Sequence, residues 1–182
     1  MKAMTHFIGS AMRKLLSAFG GEGFGSDNFP LVVLLKFFFF QKIIGFNRWV
    51  PWPVHWTSKV TAARNIKRGS RCPGMSHGCH IDGRNGIVFE ENVWVGPRVS
   101  IISMNHDVND YDRYVKSPPI IIRRDCWIGA NAIILPGVEI GPHTVVAAGS
   151  IVTKGFPEGN QVLAGNPAKV IKKLGPYEEG SA

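Results

Sequence analysis

Three histidines and an aspartate lie in two polar segments of the chain, and these residue types can move protons. His77, His80 and Asp82 lie in the segment MSHGCHIDGRNG, and His106 follows Asn105 in SMNHDVNDYDRY. An imidazole titrates near neutral pH, so it can take up a proton and later return it. A carboxylate can orient such a base. The sequence offers His106 as a general base, with His77 and His80 as alternatives and Asp82 as a candidate orienting group.

A six-residue repeat of aliphatic side chains surrounds these segments. The unbroken run of this spacing comprises Ile122, Ile128, Ile134, Ile140, Val146 and Val152. Earlier stretches keep the same spacing at Phe89, Val95 and Ile101, and more loosely at Val60, Ile66 and Cys72. An α-helix repeats every 3.6 residues and a strand every two, so neither produces a period of six.

A coil with three short, flat faces per turn explains the period. Each face sends one aliphatic side chain into a central column, and each turn hydrogen-bonds to the next. Small residues that follow the aliphatic positions, such as Gly129 and Gly141, suit tight corners. The sequence therefore predicts an all-β fold, a single-stranded parallel β-helix.

The repeat is interrupted in two places, and the histidines lie in these interruptions. One lies between Ile101 and Ile122, and the other between Cys72 and Phe89. We expect residues 102–121 to leave the coil as an extruded loop, because loops on a rigid scaffold often carry function.

These patterns divide the chain into three parts. We predict an N-terminal helical and apolar segment over 1–57 and the β-helix over 58–157. A tail over 158–182 should contain a strand or turn and then a short, basic C-terminal helix. Gly and Pro are numerous, at 21 and 12 residues, which favours many turns over long helices.

The most hydrophobic stretch is 29–46, which Lys36, Gln41 and Lys42 interrupt. It is short for a membrane-spanning helix. Two interpretations remain open. The stretch packs as a helix on the main domain or another subunit, or it lies in a membrane interface with its lysines toward water.

Composition narrows the function classes. The formal net charge is +8, but the basic residues form only short groups without a nucleic-acid-binding motif, so we expect no nucleic-acid partner. The three cysteines form no CxxC pair, and Cys72 and Cys126 fall on inward positions of the repeat. This pattern favours buried thiols and a reducing cytoplasm. No signal-peptide cleavage site follows the first residues, so we expect a cytoplasmic protein, at the inner face of the membrane if 29–46 binds lipid.

The run IGANAIILPGVEIGPHTVVAAGSIVTK, followed by AGNPAKVIKKL, resembles the hexapeptide-repeat acetyltransferases. The most similar branch is the maltose, galactoside and colanic-acid type of sugar O-acetyltransferases, over about residues 58–174. The resemblance implies a left-handed β-helix, a homotrimer, and an active site between neighbouring subunits. It also implies acetyl-CoA as the co-substrate, no metal, and a sugar or surface-polysaccharide hydroxyl as the acceptor.

The resemblance also implies roles for residues of the two polar segments. His106 matches the catalytic base, Asn105 lies beside it, and Asp82 orients the base or binds the acceptor. The galactoside branch has an asparagine near the position of Ser76, so Ser76 or Asn85 is expected to replace it as the donor to the reacting group. In the loop, Tyr111 and Tyr114 are candidates for stacking on a sugar.

The acetyl-CoA residues follow from the same matched run. Trp127 matches a tryptophan beside the pantetheine arm, and Ala130, Ala148 and Thr153 match backbone and nearby contacts to pantetheine and adenine. Small residues let a long, thin ligand lie close to the coil. Lys169 and Lys172 match basic positions that face the 3′-phosphate of CoA.

Three alternative functions stay open at this stage. The first is an N-acetyltransferase for an amino sugar or a xenobiotic on the same fold. The second is a metal lyase of the carbonic anhydrase type, which requires three converging histidines, here His77, His80 and His106. The third is a non-catalytic scaffold or membrane-docking module.

Overall fold

The computed structural model describes residues 2–178, with side chains from residue 8 onward. Helices form the N-terminal part, as predicted: α1 (Lys2–Gly20) and α2 (Leu31–Phe38), which a π-helical turn, Phe39–Ile44, extends. Short 3-10 turns lie at Glu22–Gly25 and Ala63–Asn65. No helix among the described residues has the length and apolarity needed to cross a membrane.

Short strands follow along the rest of the chain. They are β1 (Lys59–Thr61), β2 (Ile66–Lys67), β3 (His80–Asp82), β4 (Ile87–Phe89), β5 (Trp94–Val95), β6 (Ser100–Ile102), β7 (Asn105–Asp107), β8 (Asp110–Val115), β9 (Ile120–Ile122), β10 (Trp127–Ile128), β11 (Ile133–Ile134), β12 (Glu139–Ile140), β13 (Thr144–Val146), β14 (Ile151–Val152), β15 (Gln161–Gly165) and β16 (Ala168–Lys173).

The strands form three parallel sheets that the chain visits in turn. Face A contains β1, β3, β6, β11 and β14; face B contains β2, β4, β9 and β12; face C contains β5, β10, β13 and β15, with β16 at its edge. Pairing within each face is parallel, except for the antiparallel pair β15–β16. This is a three-sided parallel β-solenoid, and the predicted fold class is confirmed.

Aliphatic side chains stack in register through the middle of the coil. The column of face A consists of Val60, Ile81, Ile101, Ile134 and Val152. The column of face C consists of Val95, Ile128, Val146 and Leu163. All of these except the partly buried Val95 are buried. Because each rung needs its neighbours to bury these side chains, the coil is stable only as a stack.

Two buried polar side chains attach the helices to the start of the coil. The Gln41 amide donates to the carbonyls of Val50 and Trp52, each at 2.9 Å, and its oxygen accepts the Val54 N–H at 2.8 Å. Asn47 donates to the Ser58 carbonyl at 2.8 Å. Burial makes such bonds costly to break, so the helical part is held in a fixed position on the coil.

The predicted C-terminal helix is wrong for the described part of the tail, residues 158–178, and residues 179–182 lie outside the described chain. The chain turns back after β15, and the segment AKVIKK forms the strand β16 instead. The physical reason is the open edge of face C: β16 supplies hydrogen-bond partners to the last strand, and its lysines protect the new edge. A basic, exposed strand and a basic, exposed helix have similar compositions, so composition alone did not separate them.

Candidate active site

The extruded segment is a β-hairpin. Strand β7 pairs antiparallel with β8, and His106 lies opposite Tyr114 in the register. The hairpin leaves the coil between β6 of face A and β9 of face B, so it stands on the corner between these faces. The segment therefore leaves the coil as predicted, and it forms a β-hairpin rather than an irregular loop.

His106 is exposed, and main-chain and aromatic contacts fix its ring. The ring nitrogen Nδ1 forms a short hydrogen bond with the carbonyl oxygen of Tyr111. A carbonyl can only accept, so Nδ1 carries the proton, and Nε2 of the neutral ring is left as the acceptor. The His106 ring also packs on the Tyr114 ring, with 4.6 Å between centroids. This arrangement suits a base that receives a proton at Nε2.

Asp82 contacts Arg84 rather than His106. The Arg84 guanidinium forms a bidentate ion pair with the buried Asp82 carboxylate, in which Nε donates to Oδ1 at 3.0 Å and Nη2 donates to Oδ2 at 2.8 Å. The guanidinium also lies 4.7 Å from the centre of the Tyr114 ring, whose ring contacts His106. Hydrogen bonds to Asp82 raise the pKa of Arg84, so the cation persists. The four side chains form one continuous set of contacts.

Asn85 holds the stem of the hairpin. Its amide nitrogen donates to the carbonyls of Ser103 and Val115, at 2.9 and 3.1 Å, and its backbone N–H donates to the Ser103 hydroxyl at 2.8 Å. Ser103 precedes β7, and Val115 ends β8. Both amide hydrogens of Asn85 are thus engaged, and the geometry does not favour it as the donor to the reacting group.

Ser76 and His77 precede β3 and His80 is its first residue, so they lie at the starts of the face A strands, whereas the hairpin follows the end of β6. The Ser76 hydroxyl donates to the Val95 carbonyl at 2.6 Å, so this donor is engaged too. His80 points outward from β3, beside Lys59 and Ser100. Among the side chains of residues 8–178, no three histidine, cysteine or acidic groups are placed to hold a metal. The three histidines required for a carbonic anhydrase-type site therefore do not converge within one chain.

The residues expected to hold acetyl-CoA lie mainly on face C and at its corner with face A. Trp127 projects outward beside Trp94, with both side chains about half exposed. Ala130 and Ala148 lie at the corner between faces C and A in successive turns of the coil. There the Gly149 N–H donates to the Ala130 carbonyl at 2.9 Å. Small side chains and an exposed indole leave a shallow track that a thin ligand could follow.

The remaining expected acetyl-CoA residues are distributed along the coil. Lys169 and Lys172 are exposed on β16, at the end of face C. Thr153 follows β14 and is exposed on the same corner as the hairpin. Within one chain, the hairpin of His106 and the outer side of face C are therefore at different sides of the triangular coil.

The cysteines take no part in this chemistry. All three are free and buried. Burial raises the pKa of the Cys72 thiol to about 11 and that of the Cys126 thiol to about 12. Because the thiolate is the nucleophile, these side chains are inert near neutral pH.

The solenoid is similar to a known protein family and to known acetyltransferases. Residues 119–154 match the family model described as bacterial transferase hexapeptide (six repeats). The galactoside O-acetyltransferase of Escherichia coli is 34% identical over 136 residues, which cover 72% of this chain and 63% of that protein. Residues 119–154 of the chain therefore carry the repeats of this hexapeptide family, and the match to the galactoside O-acetyltransferase extends the likeness over 136 residues. The chain does not match either comparison over its whole length. It spans less than two thirds of this relative.

Two other similar proteins extend the comparison. A 2,3,4,5-tetrahydropyridine-2,6-dicarboxylate N-acetyltransferase of Staphylococcus aureus is 52% identical over 61 residues, covering 34% of this chain and 25% of that protein. A hexapeptide-repeat acetyltransferase of Vibrio cholerae, solved with acetyl-CoA, superposes with a TM-score of 0.53 over 93% of this chain and 88% of the other, at 21% identity. The last similarity concerns the fold alone.

Sequence reasoning missed Arg84 and the structural roles of Tyr114 and Asn85. A signal for Arg84 was present: it lies two residues after Asp82, and its backbone N–H donates to that carboxylate at 3.1 Å in a local turn. The contacts of Tyr114 and Asn85 join residues from different turns of the coil. No spacing in the sequence reveals these contacts.

Proposed function

We propose that the protein is an acetyl-CoA-dependent O-acetyltransferase that acts on a hydroxyl of a sugar or surface-polysaccharide precursor. The observation that carries this proposal is the Nδ1 hydrogen bond of His106 to the Tyr111 carbonyl, which leaves Nε2 as a proton acceptor. The relatives with O-acetyltransferase names support the choice of reaction.

In this proposal Nε2 of His106 takes the proton of the acceptor hydroxyl as its oxygen attacks the thioester carbonyl carbon. A tetrahedral intermediate forms, and its collapse breaks the carbon–sulfur bond. The imidazolium returns the proton to the departing CoA sulfur, so the products are an acetyl ester and free CoA. A positioned base typically contributes about 10²–10⁴-fold to such a rate.

Acetyl-CoA is proposed to lie along face C. The Trp127 indole contacts the pantetheine arm, while Ala130 and Ala148 allow it to approach the backbone. Thr153, which lies on the corner that carries the hairpin, reaches the adenine from the neighbouring subunit. Lys169 and Lys172 contact the 3′-phosphate as point charges. The exposure of these residues on the coil surface supports the assignment.

A homotrimer is part of the same proposal. Within one chain His106 and face C are on different sides of the coil, so the hairpin of one subunit must reach face C of the next. Tyr111, whose side chain is exposed on the hairpin, and Asn105 beside the base are then available to the acceptor. The site is complete only in the assembly.

The acceptor class distinguishes the main proposal from its alternative. The N-acetyltransferase among the relatives makes an amine acceptor the second candidate. A hydroxyl loses its proton as its oxygen attacks, and an amine loses a proton as the amide forms, so His106 would serve both reactions. The identity of the nucleophile is therefore an experimental question.

The test measures CoA release from acetyl-CoA with matched acceptors. The panel pairs each sugar with the sugar in which one hydroxyl is replaced by an amine, for example glucose and glucosamine, and includes galactosides and maltose. We expect acceptor-dependent CoA release with the hydroxyl acceptors and an alkali-labile ester in the product. Release only with the amine members, giving an amide stable to mild alkali, would replace the proposal with its N-acetyl alternative.

A further inference from the structure

The N-terminal helices leave a large apolar surface uncovered. On α1, Ile8, Leu15 and Phe19 are exposed, and on α2 and its extension, Val32, Leu35, Phe39 and Ile43 are exposed. Spacings of three, four and seven residues put each set on one side of its helix. These seven side chains are called the N-terminal apolar face.

The helices do not need this face to hold themselves together. Their shared core consists of Leu16, Phe24, Leu34 and Phe37, which are buried on the other side. Phe19 and Ile43, by contrast, are 73% and 65% exposed. A contiguous apolar surface that the fold leaves exposed normally marks a docking site.

Cations line the groove that joins the two helices on this face. The groove has a volume of about 510 Å³, and its walls include Leu15, Phe19, Phe38 and Ile43, with Lys42 and Arg48 beside them. Lys36 is exposed on α2 next to Leu35. In residues 1–50, six residues are Lys or Arg and only two are acidic.

We propose that the N-terminal apolar face docks on the surface of an anionic lipid bilayer. Apolar side chains enter the boundary between headgroups and acyl chains, and the exposed Lys36 and Arg48 meet lipid phosphates. The helices lie along the membrane and do not cross it.

Charge decides between a bilayer and a second copy of the chain. A two-fold contact of this face with itself would place the Lys36 and Arg48 cations of both copies in one interface. Like charges across an interface are unfavourable, whereas lipid phosphates complement them. The Gln41 hydrogen bonds fix the helices on the coil, so docking would hold the β-solenoid beside the lipid surface.

The experiment is co-sedimentation of the full chain with vesicles, without acetyl-CoA, so the outcome does not depend on the proposed function. Vesicles of phosphatidylcholine alone are compared with vesicles that contain about one third phosphatidylglycerol. We expect binding to the anionic vesicles that weakens on addition of about 0.5 M salt.

Two matched variants test the face itself. Ile43→Ser removes an apolar side chain of the face, and Ile171→Ser changes the same residue type on β16, at a similar exposure of 63%. We expect Ile43→Ser to weaken vesicle binding about tenfold, because its side chain no longer enters the lipid, and Ile171→Ser to change it less than about twofold.

Three results would overturn the proposal. They are equal binding to neutral and anionic vesicles, equal effects of the two variants, or no vesicle binding by a folded protein. Light scattering tests the competing occupant, a second copy of the chain. If Ile43→Ser lowers the mass of the assembly relative to the wild type and leaves vesicle binding unchanged, the face serves contacts between subunits.

Discussion

The direction of one hydrogen bond decides what His106 can do. Because its Nδ1 hydrogen bond goes to the Tyr111 carbonyl, the ring leaves Nε2 as its proton acceptor. The Tyr114 ring, held by Arg84 and through it by the buried Asp82, keeps this imidazole from turning. Four residues from two turns of the coil thus orient one nitrogen atom.

Substitutions at Tyr114 test this orientation. Tyr114→Phe keeps the ring that packs on His106, whereas Tyr114→Leu removes it and leaves the Asp82–Arg84 ion pair intact. We expect Tyr114→Leu to lower kcat about 10- to 100-fold with little change in KM for acetyl-CoA, since a misplaced base loses rate rather than CoA binding. Tyr114→Phe should retain most of the rate.

Steady-state kinetics against both substrates, with a melting temperature for each variant, gives the result. If Tyr114→Phe loses as much activity as Tyr114→Leu, the hydroxyl rather than the ring matters, and Tyr114 acts on the acceptor.

At the scale of elements, each rung of the solenoid depends on one inward side chain. Ile134 stacks between Ile101 and Val152 and is fully buried, while its neighbour Ile133 projects outward from the same strand. The inward methyl groups make contacts in two adjacent turns, so a cavity there weakens both.

A pair of alanine variants on β11 checks this dependence. We expect Ile134→Ala to reduce the free energy of unfolding by about 2–5 kcal/mol. Ile133→Ala should reduce it by much less, because Ile133 is only partly buried. Denaturant titration at constant protein concentration measures both. Equal losses in the two variants would contradict the inward column.

At the scale of the whole molecule, the coil could be predicted from the sequence because the aliphatic residues of the six-residue repeat are the ones that the coil buries. Ile122 to Val152 kept one spacing, and each member is buried as expected. The repeat does not predict Ile81 as an inward residue. Val60 and Ile81 pair in register but are 21 residues apart, whereas one turn of three six-residue faces would separate them by about 18. Extra corner residues in the first turns hide the period.

The site was predictable only in part, for a related reason. His106 could be found because the hairpin interrupts the repeat. The contacts of Arg84 and Asn85 with the hairpin arise when separate turns stack. The proposed division of the site between His106 and face C rests on the corner at which the hairpin leaves. The apolar face of the N-terminal helices also required the structure, which shows the sides that stay exposed.

The rate of acetyl transfer by His106→Ala, with acetyl-CoA binding measured on the same protein, tests the central claim most directly. We predict unchanged acetyl-CoA affinity and a fall of about 10²–10⁴-fold in kcat, since the variant lacks its proton acceptor while face C is intact. His80→Ala, which removes an exposed histidine away from the hairpin, should keep the wild-type rate. A His106→Ala enzyme that retains more than about a tenth of the wild-type rate would contradict the assignment of His106 as the base.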